Sequence, residues 1–420
     1  MSHRANADQG AGVVVVGAGF AGIAAVGVLA RAGRRVTLVD RHGYHTFQPL
    51  LYQVATAALN PGDVAFSARR LLRHASGVEF RQAALIGLRL DERVAALDDG
   101  TELAYDGLVL ATGAATNFFG VPGAAEHAVG MYTLDDADRV RDRLFALLEQ
   151  ADRQAAGAPS PTPVRLVVVG GGATGVEMAG ALAELLDAVV PRDFRHLERD
   201  ATEVVLVEAR DALLGAFAPQ LRDYARAELA RRGVRLRFDT TVRSVTATHV
   251  VVEPGGALDA GLVVWAAGVS ARELPARLGL PQAGSGRVQV LPNLSLPGHP
   301  EVFAVGDVAA LPARDGGTVA QLAQPAIQSG RHAAEELLRP GGPPRPFRYR
   351  DRGAMATIGR RAAVAELPAR VRLTGTPAWL AWCGLHLVTL LGARNRLSVL
   401  VNWTWQYLSW RSGPNVVARD

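Results

Sequence analysis

One glycine-rich pattern occurs twice in this 420-residue chain, and it limits the available folds more than any other feature. In the first copy the β-branched run Val13–Val16 predicts a buried strand, and Gly17 then allows a tight turn. Gly19 would let backbone approach a pyrophosphate, and Gly22 would let the following helix pack closely on the strand. A second predicted strand ends in Asp40, 18 residues after Gly22, where a carboxylate can accept hydrogen bonds from a ribose. Strand, turn, helix and terminal acid together predict a dinucleotide-binding unit.

The second copy begins with the apolar run 166–169, and Gly170, Gly172 and Gly175 follow it with the same spacing. Gly170 lies 153 residues after Gly17. A self-similar segment at this distance indicates one supersecondary unit used twice. The chain is therefore expected to bind two dinucleotides.

The second unit differs from the first in length. Its helix is predicted from about Ala173 to Leu186, and residues 187–201 are expected to form an extension before a strand that ends in Glu208, 33 residues after Gly175. A carboxylate at this position accepts a ribose hydroxyl and repels a 2′-phosphate, which favours NADH over NADPH. Arg210 is close by in sequence and is the residue type that binds a 2′-phosphate, so NADPH is the alternative nucleotide.

Cys383 is the single cysteine, which excludes an internal disulfide, a dithiol redox pair and an iron–sulfur cluster. Any redox chemistry must then use a bound cofactor. The histidines show no metal-ligand spacing, so we predict no metal site; His45 and His386 are expected to be ordinary solvated or hydrogen-bonded side chains.

Two further predicted strands end in short polar turns. The apolar segment 107–111 leads into Thr112 and Gly113, and the segment 302–306 leads into Asp307. With the two glycine motifs, this pattern resembles the flavoproteins that contain two dinucleotide-binding domains, over about residues 10–340. The resemblance implies FAD in the first unit, NADH in the second, and contact between Asp307 and the ribityl–phosphate part of the flavin. A strand-end Asp that merely caps a turn is the alternative.

Two segments narrow the family. Residues 45–55 (HTFQPLLYQVA) resemble the segment that follows the first acid in type II NADH dehydrogenases, the single-subunit NADH:quinone oxidoreductases, and residues 323–328 (AQPAIQ) match that family's AQxAxQ quinone-site pattern. Because Cys383 excludes the dithiol branches of the superfamily, electrons would pass from the flavin directly to an acceptor. The resemblance implies NADH as the donor and a quinone as the acceptor. No transmembrane proton path is visible in the sequence, so we expect no proton pumping.

Three polar residues are candidates for the chemistry. Gln324 and Gln328 are four apart, so they share one face of a helix predicted from about Pro325 to Leu338, and their amides can hydrogen-bond a neutral quinone carbonyl. Two surface glutamines would be the default without the family pattern. Glu177 lies in the first turn of the second unit's helix, and the resemblance implies a place beside the nicotinamide or between nicotinamide and quinone. An acid that simply favours a helix N-terminus is the competing interpretation.

The C-terminal part has an unusual composition. Residues 377–393 contain no Asp, Glu or Arg and only His386 as a basic residue, Arg394 and Arg396 follow, and residues 397–410 are again apolar. Neither half reaches the ~20 residues of a membrane span. Two helices lying in the membrane interface, with Trp anchors at headgroup level, fit better, and a helical pair that forms a dimer interface or a core is the alternative. Five of the six Trp fall in this region: Trp379, Trp382, Trp403, Trp405 and Trp410.

We therefore expect an α/β fold with two Rossmann-like dinucleotide-binding domains, for FAD and NADH, and a C-terminal amphipathic-helix region. The FAD domain is predicted to be discontinuous, over residues 10–115 and 296–345, with the NADH domain over 116–295 and the membrane or dimer region over 346–420.

The expected function is electron transfer from NADH through FAD to a membrane quinone, on the cytoplasmic face of a bacterial inner membrane. Attachment to the membrane would be peripheral, through residues 377–410. A homodimer is a further possible assembly. A soluble ferredoxin or rubredoxin reductase is the alternative enzyme, but it leaves the Trp-rich tail unexplained. A nucleic-acid-binding protein would use the eleven Arg between residues 345 and 411, yet it leaves the glutamine pair unexplained, so we expect no nucleic acid partner.

Overall fold

A computed structural model describes residues 11–157, 163–271 and 273–408. Strands and helices are numbered along the chain. Strands β1 to β24 are Val13–Val16, Val36–Asp40, Tyr44–Thr46, Ala65–Ser67, Val78–Gln82, Leu85–Arg89, Val94–Leu97, Glu102–Ala104, Gly107–Leu110, Ala114–Thr116, Val129–Gly130, Val164–Val169, Thr202–Val207, Val234–Arg237, Thr241–Val245, His249–Glu253, Gly256–Asp259, Leu262–Trp265, Val269–Ala271, Ser295–Leu296, His299–Ala304, Ala354–Gly359, Ala362–Leu367 and Val371–Thr374. Helices α1 to α12 are Phe20–Arg31, Leu51–Ala55, Pro61–Val64, Ala68–Leu72, Ala124–His127, Leu134–Ala155, Ala173–Asp193, Pro219–Arg231, Leu274–Arg277, Ala323–Leu337, Gly375–Thr389 and Ala393–Leu408.

The chain forms two compact units, and both are discontinuous in sequence. The first unit comprises Met1–His45, Phe66–Ala115 and Val269–Asp351. The second unit comprises Thr46–Ala65, Thr116–Gly268 and Arg352–Asp420.

The first unit is built on a six-stranded sheet with the order β20-β21-β9-β1-β2-β5. The strands β21, β9, β1, β2 and β5 are parallel, and β20 is an antiparallel edge strand. All four valines of β1 are buried, as expected for a central strand covered on both faces. Helices α1 and α10 pack closely, because a β-carbon at Gly330 of α10 would collide with the Ala21 carbonyl oxygen of α1.

The second unit repeats this design on a five-stranded parallel sheet with the order β11-β18-β12-β13-β14. Helix α7 crosses over from β12 to β13 and runs seven residues beyond the predicted end at Leu186. The predicted extension over residues 187–201 is therefore wrong in its first part. Ala188, Val189 and Val190 are buried and continue the apolar face of α7, which explains the longer helix.

The C-terminal part of the second unit starts with an antiparallel sheet of β22, β23 and β24 that the sequence did not predict. Helices α11 and α12 follow, separated by three residues that precede Arg394, which confirms the expected helical pair. Among the described residues, no helix is long and apolar enough to cross a membrane. Trp410 lies outside the described residues.

Candidate functional site

Three glycines with different physical tasks shape the turn after β1. Gly17 has a φ of +110°, and a β-carbon there would collide with the Ala111 carbonyl group that follows β9. A β-carbon at Gly22 would collide with the Gly17 carbonyl oxygen, so α1 approaches the turn only because position 22 has no side chain. Gly19, in contrast, caps α1 and has no protein atom within 4 Å of where its β-carbon would lie. The open space lies where the helix N–H groups would meet a phosphate.

The acid at the end of β2 is tied to the same turn. Asp40 Oδ2 accepts the Ala18 backbone N–H at 2.6 Å, and Oδ1 accepts the His42 backbone N–H at 2.7 Å. These two bonds fix the carboxylate beside the turn, at the position where this fold contacts a ribose.

A buried histidine holds the other side of the turn. His45 is 2% exposed, its Nδ1 lies 2.7 Å from the Ala18 carbonyl oxygen, and its ring meets Phe20 edge-on. Burial lowers the pKa of His45, so the imidazole is neutral. Because a carbonyl only accepts, Nδ1 carries the hydrogen. His45 is thus a structural partner of the phosphate turn that the sequence did not identify.

The second unit has the same geometry. Gly170 has a φ of +107°, a β-carbon at Gly175 would collide with the Gly170 carbonyl oxygen, and Gly172 again has no protein atom within 4 Å of its β-carbon position. Glu208 Oε2 accepts the Gly171 N–H at 2.5 Å, and Oε1 accepts the Arg210 N–H at 2.9 Å. Both cradles fit a dinucleotide pyrophosphate with an acid at the ribose position.

Thr112, Gly113 and Asp307 follow neighbouring strands of the first sheet. Gly113 has a φ of +70°, and Asp307 lies in a short 3₁₀ turn, half-buried, after β21. Strands β9 and β21 pair in parallel, so both turns lie at the carboxyl edge of the sheet together with Gly17. Ligands of open parallel sheets bind at this edge.

The two predicted glutamines lie on helix α10, as expected, but their surroundings differ. Gln328 forms a two-way pair with the backbone of Arg350: its Nε2 donates to the carbonyl oxygen at 2.9 Å, and its Oε1 accepts the N–H at 3.0 Å. No such pairing holds Gln324 among the described residues. Gln324 lies half-buried in the first turn of α10, whereas the polar atoms of Gln328 already have protein partners.

Glu177 lies on the face of α7 that packs against β22. A β-carbon at Gly180, one turn later, would collide with the backbone of β22, so the strand lies directly on the helix. The Thr357 N–H donates to Glu177 Oε1 at 3.2 Å, and the Arg360 N–H donates to Glu184 at 2.5 Å. Backbone N–H groups of β22 and of the residue that follows it thus bond two acids on one face of α7.

The acidity of Glu177 is strongly altered. Burial raises the pKa of Glu177 to about 8, although the hydrogen bond from the Thr357 amide and the nearby Trp382 side chain act in the opposite direction. At neutral pH this carboxyl group therefore holds a proton.

Comparison with known proteins places this geometry in a family. Residues 11–330 match the pyridine nucleotide-disulphide oxidoreductase model, and residues 352–412 match the NDH2 C-terminal domain. The type II NADH:quinone oxidoreductases Ndh and NdhA of Mycobacterium tuberculosis are each 36% identical to the chain, over 96% of it and 89% of their own lengths. The chain belongs to the type II NADH:quinone oxidoreductases.

The fold agrees with this assignment. The structure of NDH2 from Plasmodium falciparum in complex with NADH superimposes with a TM-score of 0.86 at 19% identity, over 95% of this chain and 98% of that one. The family predicted from residues 45–55 and 323–328 is confirmed. The ferredoxin-reductase alternative has less support, because the NDH2 C-terminal domain covers the tail that it leaves unexplained.

In this type II NADH dehydrogenase, an aromatic cluster joins the segment 45–55 to the C-terminal helices. We define the cluster as Tyr52, Gln53, Trp382, His386 and Trp403. The rings of Trp382 and His386 stack at 4.1 Å, and Trp403 lies 5.8 Å from Trp382. The Trp403 indole donates to Gln53 Oε1 at 2.8 Å, and Gln53 Nε2 donates to the Tyr52 hydroxyl at 2.7 Å. The family motif is therefore a packing surface for the C-terminal domain.

This cluster corrects the expectation that all the C-terminal tryptophans are surface anchors. Trp382 and Trp403 are only 2% and 5% exposed, because their rings fill the space between α11, α12 and the Tyr52 segment. His386 is enclosed with them, and burial lowers its pKa to about 4. Trp405, at 66% exposed, still faces outward.

Polar residues at helical spacing fasten α12 to the short helix α3. The Asn395 amide donates to the Gly62, Asp63 and Ala65 carbonyls at 3.0–3.2 Å. The Asp63 carboxylate accepts Ser398 Oγ at 2.5 Å and Asn402 Nδ2 at 2.9 Å. These contacts fix which face of α12 turns outward.

The outward faces of α11 and α12 are apolar. Their exposed side chains are Leu380, Leu385, Val388, Leu397, Leu400, Val401 and Trp405, each at least 45% exposed. Large apolar side chains exposed together on a protein surface mark an interaction surface.

Proposed function

We propose that this protein oxidises NADH and delivers the two electrons, by way of FAD, to a membrane quinone without pumping protons. The observation that carries the proposal is the duplicated glycine cradle, with Asp40 at one and Glu208 at the other, in a chain that belongs to the type II NADH:quinone oxidoreductases.

The first unit is assigned to FAD and the second to NADH. Gly17, Gly19 and Gly22 would hold the FAD pyrophosphate, Asp40 its ribose, and Thr112, Gly113 and Asp307 the flavin side at the carboxyl edge of the sheet. FAD, when bound, accepts hydride from NADH and releases electrons to a second acceptor. Gly170, Gly172 and Gly175 with Glu208 would hold NADH.

Gln324 is proposed as the quinone-side amide. It lies in the first turn of α10, where the positive end of the helix dipole also stabilises negative charge. We assign Gln328 to a different task, because its bidentate pairing with Arg350 fixes the segment that leads to the C-terminal domain.

Glu177 is proposed to supply a proton when the quinone is reduced. Two electrons convert a quinone to a quinol only with two protons; a carboxyl group that stays protonated at neutral pH can donate one from its Oε atoms, and solvent would supply the other. Water would then restore the proton.

The exposed apolar faces of α11 and α12 are proposed to lie in the membrane interface, with attachment that is peripheral and on the cytoplasmic face. Leu397 and Val401 are one turn apart and 62% and 55% exposed, so they would enter the acyl region. Arg394, at the start of α12, would reach lipid phosphates. A second copy of the chain is the alternative occupant of this surface.

Separate stopped-flow measurement of the two half-reactions tests the proposal. Purified protein should be yellow, reduce its flavin with NADH, and reoxidise with a short-chain quinone far faster than with a small iron–sulfur protein. Gln324→Leu should slow reoxidation by quinone and leave reduction by NADH nearly intact. Preference for the iron–sulfur acceptor, or equal losses in both half-reactions, would contradict the assignment.

A further inference from the structure

Phe119 carries an exposed aromatic ring on a backbone conformation that phenylalanine rarely adopts. The residue is 62% exposed, and its φ is +53°. The left-handed region is costly for a bulky side chain, and such a conformation persists only where the surrounding structure fixes it. The burial of a core side chain therefore does not account for the phenyl ring at this position.

Hydrogen bonds hold the backbone of Phe119 on the turn that follows β18. The Phe119 N–H donates to Asn117 Oδ1 at 2.8 Å, and the Asn117 N–H donates to the Gly268 carbonyl oxygen at 3.3 Å. The Trp265 indole, at the end of β18, donates to the Asn117 carbonyl oxygen at 2.9 Å. The turn after β18 therefore sets the direction in which the Phe119 side chain leaves the backbone.

The ring lies against a segment that borders the second glycine cradle. A β-carbon at Gly268 would lie 2.5 Å from Phe119 Cζ, so the ring packs on this glycine. A β-carbon at Gly170 would lie 2.9 Å from the Ala267 Cα atom, so the Gly170 turn touches the same segment. Phe119 is thus next to the cradle proposed for NADH.

The strand register indicates which half of the nucleotide would pass this ring. Strands β13 and β18 pair in parallel with the two sides of β12, so Glu208 and Ala266, the first residues after them, flank Gly170. Glu208 lies at the position where this fold contacts the adenosine ribose. A dinucleotide laid across the crevice from its pyrophosphate then has its other half on the β18 side, beside Phe119.

We propose that the exposed face of the Phe119 ring packs against the nicotinamide riboside half of NADH. Aromatic rings attract one another when they are offset or edge-on, and burial of the exposed phenyl surface adds to the affinity. The contact would orient the nicotinamide and keep water from one side of it. This inference rests on the assignment of the second unit to NADH, and it adds a nucleotide-binding residue from outside the glycine motif.

Two ligands of different extent test the proposal on the FAD-loaded protein. NAD⁺ carries both halves of the nucleotide and cannot reduce the flavin, whereas ADP carries the adenosine ribose and the two phosphates but no nicotinamide riboside. Isothermal titration calorimetry measures the Kd of each ligand without turnover. In Phe119→Ala, the Kd for NAD⁺ should rise about three- to tenfold, and the Kd for ADP should stay unchanged.

Phe119→Gly separates binding from a structural role of the ring. Glycine adopts a φ of +53° without strain, so this variant should be at least as stable to heat as Phe119→Ala, while its NAD⁺ affinity falls equally. Phe119→Tyr keeps the ring, so its NAD⁺ affinity should stay close to that of the unaltered chain.

The outcomes distinguish this inference from the proposed function. An unchanged Kd for NAD⁺ in Phe119→Gly, or an equal loss of ADP affinity, would overturn the inference and leave the NADH assignment in place. If the unaltered protein bound neither NAD⁺ nor ADP, the NADH assignment itself would fall, and this inference with it.

Discussion

The substitution Gly172→Ala tests whether Gly172 is required by a bound nucleotide or by the backbone turn itself. Gly172 has φ −71° and ψ −177°, which alanine adopts without strain, and no protein atom lies within 4 Å of the new β-carbon. The protein itself therefore tolerates the change, and loss of a glycine N-cap costs a few tenths of a kcal/mol to about 1 kcal/mol. The space that the methyl group takes is the space proposed for the NADH pyrophosphate.

The expected loss follows from the helix N-terminus. A hydrogen bond to a charged phosphate contributes about 1.5–3 kcal/mol, and 1.4 kcal/mol corresponds to about a factor of ten. If the methyl group displaces one such bond, KM for NADH should rise about 10- to 100-fold. The FAD content and the melting temperature should stay nearly unchanged.

Gly19→Ala is the matched variant of the first unit, because it has the same open surroundings. It should lower FAD retention and leave the intrinsic affinity for NADH, measured on protein reconstituted with FAD, close to that of the unaltered chain. Steady-state kinetics, flavin absorbance and thermal unfolding of both variants decide the question. Gly172→Ala with a lowered melting temperature and an unchanged KM would refute the cradle, and loss of FAD from Gly172→Ala would reverse the assignment of the two units.

Three further predictions concern other parts of the molecule. Glu208→Gln keeps an acceptor for the Gly171 N–H but removes the negative charge, so the ratio of kcat/KM for NADH over NADPH should fall about tenfold or more, which initial rates with both nucleotides will show. Asp63→Ala removes the acceptor of Ser398 and Asn402 and should lower the free energy of unfolding by about 2–4 kcal/mol, as measured by denaturant titration; a loss below about 0.5 kcal/mol would show that the α12 contacts are not stabilising. The full chain should stay on vesicles in 1 M salt, where the interaction between exposed charges is screened beyond about 3 Å. A Leu397→Glu, Val401→Glu double variant should release the chain, because it removes exposed apolar surface. Release of the unaltered chain by salt alone would favour attachment through Arg.

The double variant is a sharper membrane test than truncation. Deletion from about Thr374 onward would also remove Trp382 and Trp403, which are buried against Tyr52 and Gln53. A truncated chain would expose this surface, so its behaviour would mix attachment with packing.

Local backbone requirements are what the sequence alone determined. The glycine positions follow from a turn with positive φ, a close helix approach and an open phosphate space. Asp40 and Glu208 follow from the same unit, because each ends the strand after the glycine helix, although 18 residues separate Asp40 from Gly22 and 33 separate Glu208 from Gly175. Composition alone also located the two C-terminal helices, because the apolar runs are interrupted near Arg394.

The tertiary structure decided which polar groups of distant segments bond to one another and which side chains are buried. Gln328 looked equivalent to Gln324 in sequence, yet both of its polar atoms bond to the backbone of Arg350. Trp382 and Trp405 looked like the same kind of anchor, yet one is enclosed and the other exposed. Side-chain identity permits several partners, and only the packing of elements far apart in the chain selects one, because burial forces each polar group to pair with whatever donor or acceptor the neighbouring backbone supplies.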